Sequence, residues 1–325
     1  MRIHVQNIAA RAAPRVTAAE WREAVARAGF AADAEVTFAD DAADFAAGVA
    51  EAEILVMPNA AVRACFPADA PHLKVVFVTS AGVDGLAPFD WLPSRAVLVN
   101  NRGAHSVKAG EFAIMALLML ANQMPAHATA QRAGRWEPSH GSVLAGRRVA
   151  VVGAGSLGAA TGRHARLFGM HATGIRRTAA PHPDFDAVVA AGDLDAVLAE
   201  SEFVVLACPL TEATRGLLDR RRMRLLPRGA GIVNIGRGAL LDQDAACDLL
   251  DDGHLSGAVL DVFVPEPVPP GHRLWTTRNL VMTPHVSADD PLTYVPRSLD
   301  ILLDNLRAFA AGQPMPNLVD LGHGY

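Results

Sequence analysis

A short apolar run that leads into three spaced glycines constrains this sequence more than any other feature. Residues 147–152 are followed by the pattern Gly-x-Gly-x-x-Gly and then by a helical stretch at 159–168. In a strand–turn–helix unit such glycines allow a tight turn, a close approach of pyrophosphate to the backbone and close helix packing. A bare turn is the alternative, but the context favours a dinucleotide site. The residues of this nucleotide loop are Gly153, Gly155, Ser156, Leu157 and Gly158.

The end of the next predicted strand, 171–175, carries arginines where a carboxylate is usual. Units of this kind that use NAD commonly hold the ribose 2′-hydroxyl with an Asp or Glu, but here Arg176 and Arg177 follow the strand. Arginine pairs with a 2′-phosphate, which a carboxylate would repel. The pair therefore predicts a preference for NADP(H), with NAD(H) still possible. The alternative is that both are solvated arginines at a strand end.

Apolar runs alternate with helical stretches along the chain, and this alternation predicts α/β units with parallel sheets covered on both faces. The predicted strands are 3–5, 36–38, 54–56, 75–78, 97–99, 147–152, 171–175, 203–207, 231–235, 257–262 and 280–283. The predicted helices are 18–28, 42–50, 60–65, 106–122, 159–168 and 294–311. A length of 325 residues suits two domains of ordinary size.

The bulk composition excludes several classes of protein. Apolar residues make up 51% of the chain, which argues against disorder, and the net charge of −5 offers no basic excess for nucleic acid or an anionic membrane. The N-terminus has no signal-peptide core, and the most apolar stretch, 112–121, is too short to cross a bilayer. Cys65, Cys208 and Cys247 lie far apart, so we expect no disulfide framework, no metal site and a cytoplasmic location.

Three candidate catalytic residues each follow a predicted strand, where open α/β sheets bind ligands. Arg237 lies in Asn-Ile-Gly-Arg-Gly, Glu266 lies between two prolines, and His285 follows Thr-Pro. Taken singly, each has an ordinary explanation: a solvated loop arginine, an exposed tip and a hydrogen-bonded structural histidine. Their shared placement behind a nucleotide loop favours a catalytic group instead.

These residue types suit the reduction of a 2-oxo acid, which needs a cation, a proton donor and a hydride at the opposite face of the carbonyl. Arg237 can hold the carboxylate and polarise the ketone through its bidentate fork. His285 can protonate the alkoxide, because imidazole ordinarily titrates near neutral pH. Glu266 can accept a hydrogen bond from the other ring nitrogen and favour the imidazolium.

The sequence resembles the D-isomer-specific 2-hydroxyacid dehydrogenases over about residues 73–313. The segments that carry the resemblance are GAGSLG, CPLTEATRGLL, IVNIGRGALLD, LDVFVPEP and LVMTPHVS. The resemblance implies two doubly wound parallel-sheet domains: a Rossmann cofactor domain, 103–288, and a flavodoxin-like substrate domain, 1–102 with 289–325. It also implies an oxidoreductase that transfers a hydride between NADP(H) and a small 2-oxo or D-2-hydroxy acid, most readily a glyoxylate/hydroxypyruvate-type reductase.

The resemblance further implies roles for individual residues. The catalytic set falls on Arg237, Glu266 and His285, and Ser80–Asp84 becomes a substrate loop whose backbone N–H groups hold the carboxylate. Substrate contacts are implied for Ala81, Gly82, Val83, Arg237 and His285. Cofactor contacts beyond the nucleotide loop and the two arginines are implied for Cys208, Pro209, Thr214, Ile235, Gly236 and Asp261. The family is usually dimeric, so we expect a homodimer.

Some features leave alternatives open. His105 and Lys108 depart from the usual entry to the long helix and either face the site or lie at a solvated helix start. Trp136 either reaches a partner's active site or packs in an interface. Substrate selectivity is expected to depend on residues 58–60, the substrate loop, and the surroundings of Trp275 and Tyr294. The competing functions are a nucleotide-sensing corepressor or scaffold and a phosphoglycerate-type dehydrogenase, with formate and phosphite oxidation less favoured.

Overall fold

The computed structural model describes residues 1–8, 15–30 and 33–324 and divides into two compact units. Unit 1 comprises Met1–His105 and Asp290–Tyr325, and unit 2 comprises Ser106–Asp289. The second unit thus begins at residue 106 and ends at 289, against the 103 and 288 predicted from the sequence. None of the described helices is long and apolar enough to cross a membrane.

The regular elements of the described residues alternate along both units. The strands are β1 (Arg2–Gln6), β2 (Glu35–Ala39), β3 (Ile54–Met57), β4 (Val75–Val78), β5 (Val97–Val99), β6 (Arg148–Val152), β7 (His171–Arg176), β8 (Ala187–Ala190), β9 (Phe203–Leu206), β10 (Ala230–Asn234), β11 (Leu255–Leu260) and β12 (Leu280–Met282). The helices are α1 (Ala18–Ala28), α2 (Phe45–Ala50), α3 (Asn59–Cys65), α4 (Ser106–Ala121), α5 (Met124–Arg132), α6 (Ser156–Leu167), α7 (Leu194–Glu200), α8 (Arg220–Leu225), α9 (Gln243–Asp251) and α10 (Tyr294–Ala310).

Unit 1 is built on a five-stranded parallel sheet in the order β2-β1-β3-β4-β5, the flavodoxin-like order. Its central strands, β3 and β4, are buried along their whole length, as continuous apolar runs predict. α1 begins at a capping box formed by Thr17 and Glu20 and ends at Gly29, which has φ +59°. α10 packs on α1 and on this sheet, so the chain returns to complete unit 1.

Unit 2 is built on a seven-stranded parallel sheet in the order β12-β11-β10-β9-β6-β7-β8. When the strands are counted outward from β6 in both directions, the order is the doubly wound order of a Rossmann domain with one added strand, β12. α4 lies against α6 and buries most of its length, because it is apolar on nearly every face. The prediction of two doubly wound parallel-sheet α/β domains is confirmed.

Several elements of unit 2 differ from the sequence expectations. β8 was not predicted, since it is a half-buried edge strand of four residues. The helices α7, α8 and α9 were not predicted either. β11 lies two residues earlier than the predicted strand 257–262, which leaves Asp261 just beyond the end of the strand.

Candidate active site

The nucleotide loop joins β6 to α6 and has the packing that a dinucleotide needs. Gly153 has φ +102°, and a Cβ there would lie 2.6 Å from the backbone of Cys208. A Cβ at Gly158 would lie 1.8 Å from the carbonyl oxygen of Gly153, so the helix reaches the strand only with glycine there. A Cβ at Gly155 would meet nothing within 4 Å, and the first turn of α6 has no side-chain cap. This open cradle at a helix N-terminus fits a pyrophosphate.

Arg176 and Arg177 lie at the carboxyl end of β7, beside this loop. The Ile175 carbonyl accepts a 2.8 Å hydrogen bond from the Gly153 N–H, which ties the two segments together. Arg176 is half-buried and Arg177 is exposed. The end of this strand therefore offers guanidinium groups, which suit a phosphate better than a ribose hydroxyl.

The segments after β9 and β10 form the next part of the same sheet edge. Cys208 is buried against Gly153, and burial raises the pKa of its thiol to about 12. Thr214 closes the turn after Cys208, since its hydroxyl donates to the Pro209 carbonyl at 2.8 Å. Ile235 and Gly236 are also buried. These residues shape the surroundings of the nucleotide loop, and their contacts with a cofactor stay a prediction.

The Arg237 turn is held by groups that the sequence analysis did not single out. Buried Asn234 accepts from the Gly236 N–H at 3.1 Å and donates to the Arg237 carbonyl at 3.0 Å. A Cβ at Gly238 would lie 2.2 Å from the carbonyl carbon of Phe263, so this turn packs directly on the chain after β11. The guanidinium itself is half-exposed, and one of its N–H groups donates to the Gly236 carbonyl at 2.8 Å.

Glu266 and His285 form a hydrogen-bonded pair on the same sheet edge. The Nδ1 of His285 lies 2.8 Å from Oε2 of Glu266, while Oε1 accepts from the Phe263 N–H at 2.7 Å. The carboxylate is therefore anchored to the main chain and orients the imidazole. Half of the His285 side chain is exposed, at 50%. The other ring nitrogen, Nε2, is the one left to exchange a proton with a ligand.

Asp261 organises the loop that carries His285. His285 has φ +57°, an unusual conformation for a residue with a side chain. The Asp261 carbonyl accepts from the His285 N–H at 2.8 Å, and the Asp261 carboxylate accepts from Thr283 Oγ1 at 2.5 Å. The same carboxylate accepts from the N–H groups of Val286 and Ser287, both at 2.9 Å. The sequence suggested only a cofactor contact for Asp261; the structure gives its buried carboxylate a supporting position.

The substrate loop follows β4 in unit 1. Ser80, Ala81 and Gly82 are half-exposed and Val83 is buried. Among the residues that the structure describes, none accepts a hydrogen bond from their four backbone N–H groups. These N–H groups are available to an anion, which agrees with the predicted carboxylate site.

The other residues left open by the sequence take different positions. In unit 1 the rings of His105 and Tyr294 contact each other in a tilted arrangement with centroids 4.9 Å apart, and the Tyr294 hydroxyl donates to the Thr79 carbonyl. Lys108 lies half-buried in the first turn of α4. Trp136 follows α5 and is 98% exposed. Of these, His105 and Tyr294 contact each other beside the first residues of the substrate loop.

Comparison with known proteins identifies the family. Residues 114–287, which lie in unit 2, match the family model described as "D-isomer specific 2-hydroxyacid dehydrogenase, NAD binding domain". The glyoxylate reductase of Korarchaeum cryptofilum is 32% identical over 77% of this chain and 77% of its own length. The D-3-phosphoglycerate dehydrogenase of Mycobacterium tuberculosis is 31% identical over 86% of this chain but only 53% of its own length.

Solved structures agree in fold over nearly the whole chain. A D-isomer specific 2-hydroxyacid dehydrogenase from Xanthobacter autotrophicus Py2 in complex with NADPH and MES has a TM-score of 0.81 and 31% identity, with 99% of both chains covered. The NADPH-dependent glyoxylate/hydroxypyruvate reductase from Sinorhizobium meliloti, solved with NADP and sulfate, has a TM-score of 0.80 and 27% identity, with 100% of both chains covered.

The chain belongs to the D-isomer-specific 2-hydroxyacid dehydrogenase family. It is accordingly an NAD(P)-dependent oxidoreductase that acts on 2-hydroxy or 2-oxo acids. The predicted family, enzyme class and cofactor class are confirmed. The glycine cradle of unit 2 fits the dinucleotide that this family uses.

Proposed function

We propose that this protein is an NADPH-dependent reductase of a small 2-oxo acid, of the glyoxylate/hydroxypyruvate type. The observation that carries the proposal is the 2.8 Å pair of His285 and Glu266. It lies at the carboxyl edge of the sheet that bears the nucleotide loop, since β6, β10, β11 and β12 all run parallel. The names of the Korarchaeum and Sinorhizobium relatives support this substrate class.

In this proposal each polar group has one task in the reaction. The free N–H groups of Ala81, Gly82 and Val83 bind the substrate carboxylate, and Arg237 binds the carboxylate and polarises the ketone. The bound nicotinamide supplies the hydride to C2 of the acid. His285 donates a proton from Nε2 to the oxygen that becomes the hydroxyl group, while Glu266 holds Nδ1.

The preference for NADPH rests on the end of β7. Arg176 and Arg177 replace the carboxylate that would accept a ribose hydroxyl, and a guanidinium recognises the 2′-phosphate by charge and by paired hydrogen bonds. The proposed cofactor contacts also include the residues of the nucleotide loop. They extend along the sheet edge to Cys208, Pro209, Thr214, Ile235, Gly236 and Asp261.

Steady-state kinetics over a panel of 2-oxo acids test the proposal directly. Glyoxylate, hydroxypyruvate, pyruvate and phosphohydroxypyruvate are assayed with NADPH and with NADH. We expect the largest kcat/KM for glyoxylate or hydroxypyruvate with NADPH. A dominant rate with phosphohydroxypyruvate would favour the phosphoglycerate-type alternative, whereas tight NADPH binding without turnover of any acid would favour a nucleotide-sensing corepressor.

A homodimer is proposed from the exposed apolar surface of unit 2. Trp136 and Val143 are 98% and 75% exposed, and they lie in a segment outside the helices and strands. Leu118, Val143 and Phe168 line an adjacent surface cavity of about 500 Å³. Exposed apolar patches of this kind mark association surfaces. Sedimentation velocity should show a dimer that Trp136→Ser with Val143→Ser weakens.

A cytoplasmic location is proposed from the state of the thiols. Cys65, Cys208 and Cys247 are all buried and free, and burial raises the pKa of each thiol. Reducing compartments preserve such thiols. Cell fractionation with a tagged copy of the chain tests this location.

A further inference from the structure

The carbonyl groups of Thr79 and of the first four residues of the substrate loop accept hydrogen bonds from donors of unit 1. Three of these donors are side-chain amides of asparagine. The bonds are Asn101 Nδ2 to the Thr79 carbonyl at 3.0 Å, Asn101 N–H to the Ser80 carbonyl at 3.1 Å, Asn100 Nδ2 to the Ala81 carbonyl at 3.0 Å, Asn59 Nδ2 to the Gly82 carbonyl at 2.7 Å and Leu86 N–H to the Val83 carbonyl at 2.9 Å. We call Asn59, Asn100 and Asn101 the asparagine clamp.

The clamp decides which way the loop N–H groups face. In a trans peptide the carbonyl of one residue and the N–H of the next point in opposite directions. Holding the Ser80, Ala81 and Gly82 carbonyls inward therefore turns the N–H groups of the following residues outward. Those N–H groups belong to Ala81, Gly82 and Val83, and no described residue accepts a bond from them.

The clamp residues are themselves firmly held within unit 1. Asn100 and Asn101 are 2% and 0% exposed. The Asn100 N–H donates to the Asn317 carbonyl at 3.1 Å, and Asn101 Nδ2 also donates to the Ser298 hydroxyl at 2.7 Å. Asn59 is the first residue of α3 and is half-exposed, so its amide reaches the loop from a separate element.

Oδ1 of Asn100 accepts a hydrogen bond from the Arg102 N–H at 3.2 Å, but within the described part of the chain the other two acceptor atoms of the clamp have no such bond. Oδ1 of Asn59 and Oδ1 of Asn101 are buried and have no hydrogen-bond partner among the described residues. A buried acceptor without a partner destabilises a fold. The presence of an amide at these positions is therefore explained by the hydrogen bonds that its N–H groups donate to main-chain carbonyl groups.

We propose that Asn59 and Asn100 are positioning residues whose side-chain amides set carboxylate-binding N–H groups of the substrate loop, while Asn101 fixes the Thr79 and Ser80 carbonyls at the start of the loop. The proposal deepens and rests on the proposed function, in which these N–H groups bind the carboxylate of a 2-oxo acid. The clamp acts through the carboxylate, which all substrates of the class share. Loss of a clamp amide must then weaken the binding of every such acid by a similar factor, regardless of the side chain that the acid carries.

The decisive variant is Asn59→Ala, because Asn59 is the least buried member of the clamp. We expect KM for glyoxylate, pyruvate and hydroxypyruvate to rise together by about tenfold, the scale of one lost hydrogen bond, while kcat changes less. Asn59→Asp should raise KM further, since a carboxylate repels both the Gly82 carbonyl and the substrate. Asn7→Ala is the matched control: Asn7 is a buried asparagine of unit 1 that donates to the Val16 carbonyl, and its loss should leave KM unchanged.

Binding of oxamate to the NADPH-bound protein gives a readout that does not need turnover. Calorimetry should show about tenfold weaker oxamate binding in Asn59→Ala and Asn100→Ala, with an unchanged Kd for NADPH. Unchanged oxamate binding in both variants, or a rise in KM for one acid alone, would overturn the clamp. A wild-type protein that binds oxamate through the clamp but reduces no 2-oxo acid would instead overturn the proposed function.

Discussion

Two loops of this molecule present main-chain N–H groups at the carboxyl edge of a parallel sheet, and they do so by different means. The nucleotide loop uses glycines that bring α6 against β6, so the first turn of a twelve-residue helix supplies the N–H groups. The substrate loop has no such helix behind it. Its N–H groups face outward because side-chain amides from α3 and from the end of β5 hold the carbonyl groups.

The difference shows two ways of building an anion site from the same backbone groups. In the nucleotide loop the constraint is excluded volume, and the glycines that satisfy it all lie within residues 153–158. In the substrate loop the constraint is hydrogen bonding, and the residues that matter lie on either side of the loop in the sequence. A variant should therefore damage the first loop by adding atoms and the second loop by removing a donor.

The largest effect is expected from a variant that removes the proton donor of the reaction and leaves both loops intact. His285→Ala should lower kcat by about 10²–10⁴-fold, because the proton donor is lost. The Kd for NADPH should change little, since the nucleotide loop is not altered, whereas the Kd for oxamate should rise because the contact from His285 Nε2 is lost. Stopped-flow measurement of the hydride step with both affinities checks this, and near-normal turnover would refute the assigned role of His285.

The next effect separates ligand approach from packing within the nucleotide loop. Gly155→Ala places a methyl group in the open cradle and should weaken NADPH binding by about tenfold or more, with little change in Tm. Gly158→Ala should lower Tm as well, since its Cβ would lie 1.8 Å from the Gly153 carbonyl oxygen. Fluorescence titration and thermal melts test the pair; equal Tm losses would mean that Gly155 also serves packing.

A smaller effect concerns which cofactor the nucleotide loop serves. Arg176→Ala should lower kcat/KM for NADPH by about tenfold and leave that for NADH nearly unchanged, because one charge-assisted contact to the 2′-phosphate is removed. The exposed Arg163, on the outer part of α6, provides a matched arginine control. A wild-type preference of tenfold for NADH would contradict the assignment of the arginines.

The smallest effect distinguishes the stabilities of the two units as pH falls. Burial lowers the pKa of His4 on β1, against a smaller opposing contribution from its hydrogen bond to Gln6. The unfolded chain thus binds a proton at His4 more readily than the folded chain does. The free energy of unfolding that neutral His4 contributes is present above pH 6.5 and is lost as pH falls through the lowered pKa. His4→Gln should flatten that loss in chemical unfolding curves, whereas His171→Gln, at an exposed site in unit 2, should not.

Much of the fold is predictable from the sequence because its signals are local. α1 was predicted at its observed bounds, since Thr17, Glu20 and Gly29 mark its two ends. β4 and β5 were also predicted at their observed bounds as buried apolar runs. Their boundaries depend on neighbouring residues, which a single sequence displays.

The elements that escaped prediction are stabilised from a distance. α8 reads Arg-Arg-Arg-Met-Arg-Leu and has little apolar periodicity. Its arginines pair instead with Asp195 on α7, with Asp248 on α9 and with Asp252 just after α9, and Arg221 and Arg222 lower the pKa of Asp195 to about 2. Such partners are far apart in sequence, so the pattern becomes visible only once the units have folded.

The candidate site divides in the same way. Arg237, Glu266 and His285 stand in short motifs that a sequence displays, although their individual roles stay a prediction. The residues that hold these three in place do not belong to a recognisable motif. Asn234 bonds to the main chain of the Arg237 turn, and buried Asp261 bonds to the main chain of the loop that carries His285. The asparagine clamp is the extreme case, because its donors and acceptors come from three separate segments.

The discontinuous construction of unit 1 also bears on how the protein is made. The ribosome releases all five strands of unit 1 first, then the whole of unit 2, and only afterwards α10. Until α10 emerges, Leu299, Leu302 and Leu303 cannot cover the sheet face that includes Ile3 and Phe77. During translation the strands of unit 1 therefore expose an apolar sheet face until unit 2 has been synthesised. Nascent chains will need protection from aggregation at that face.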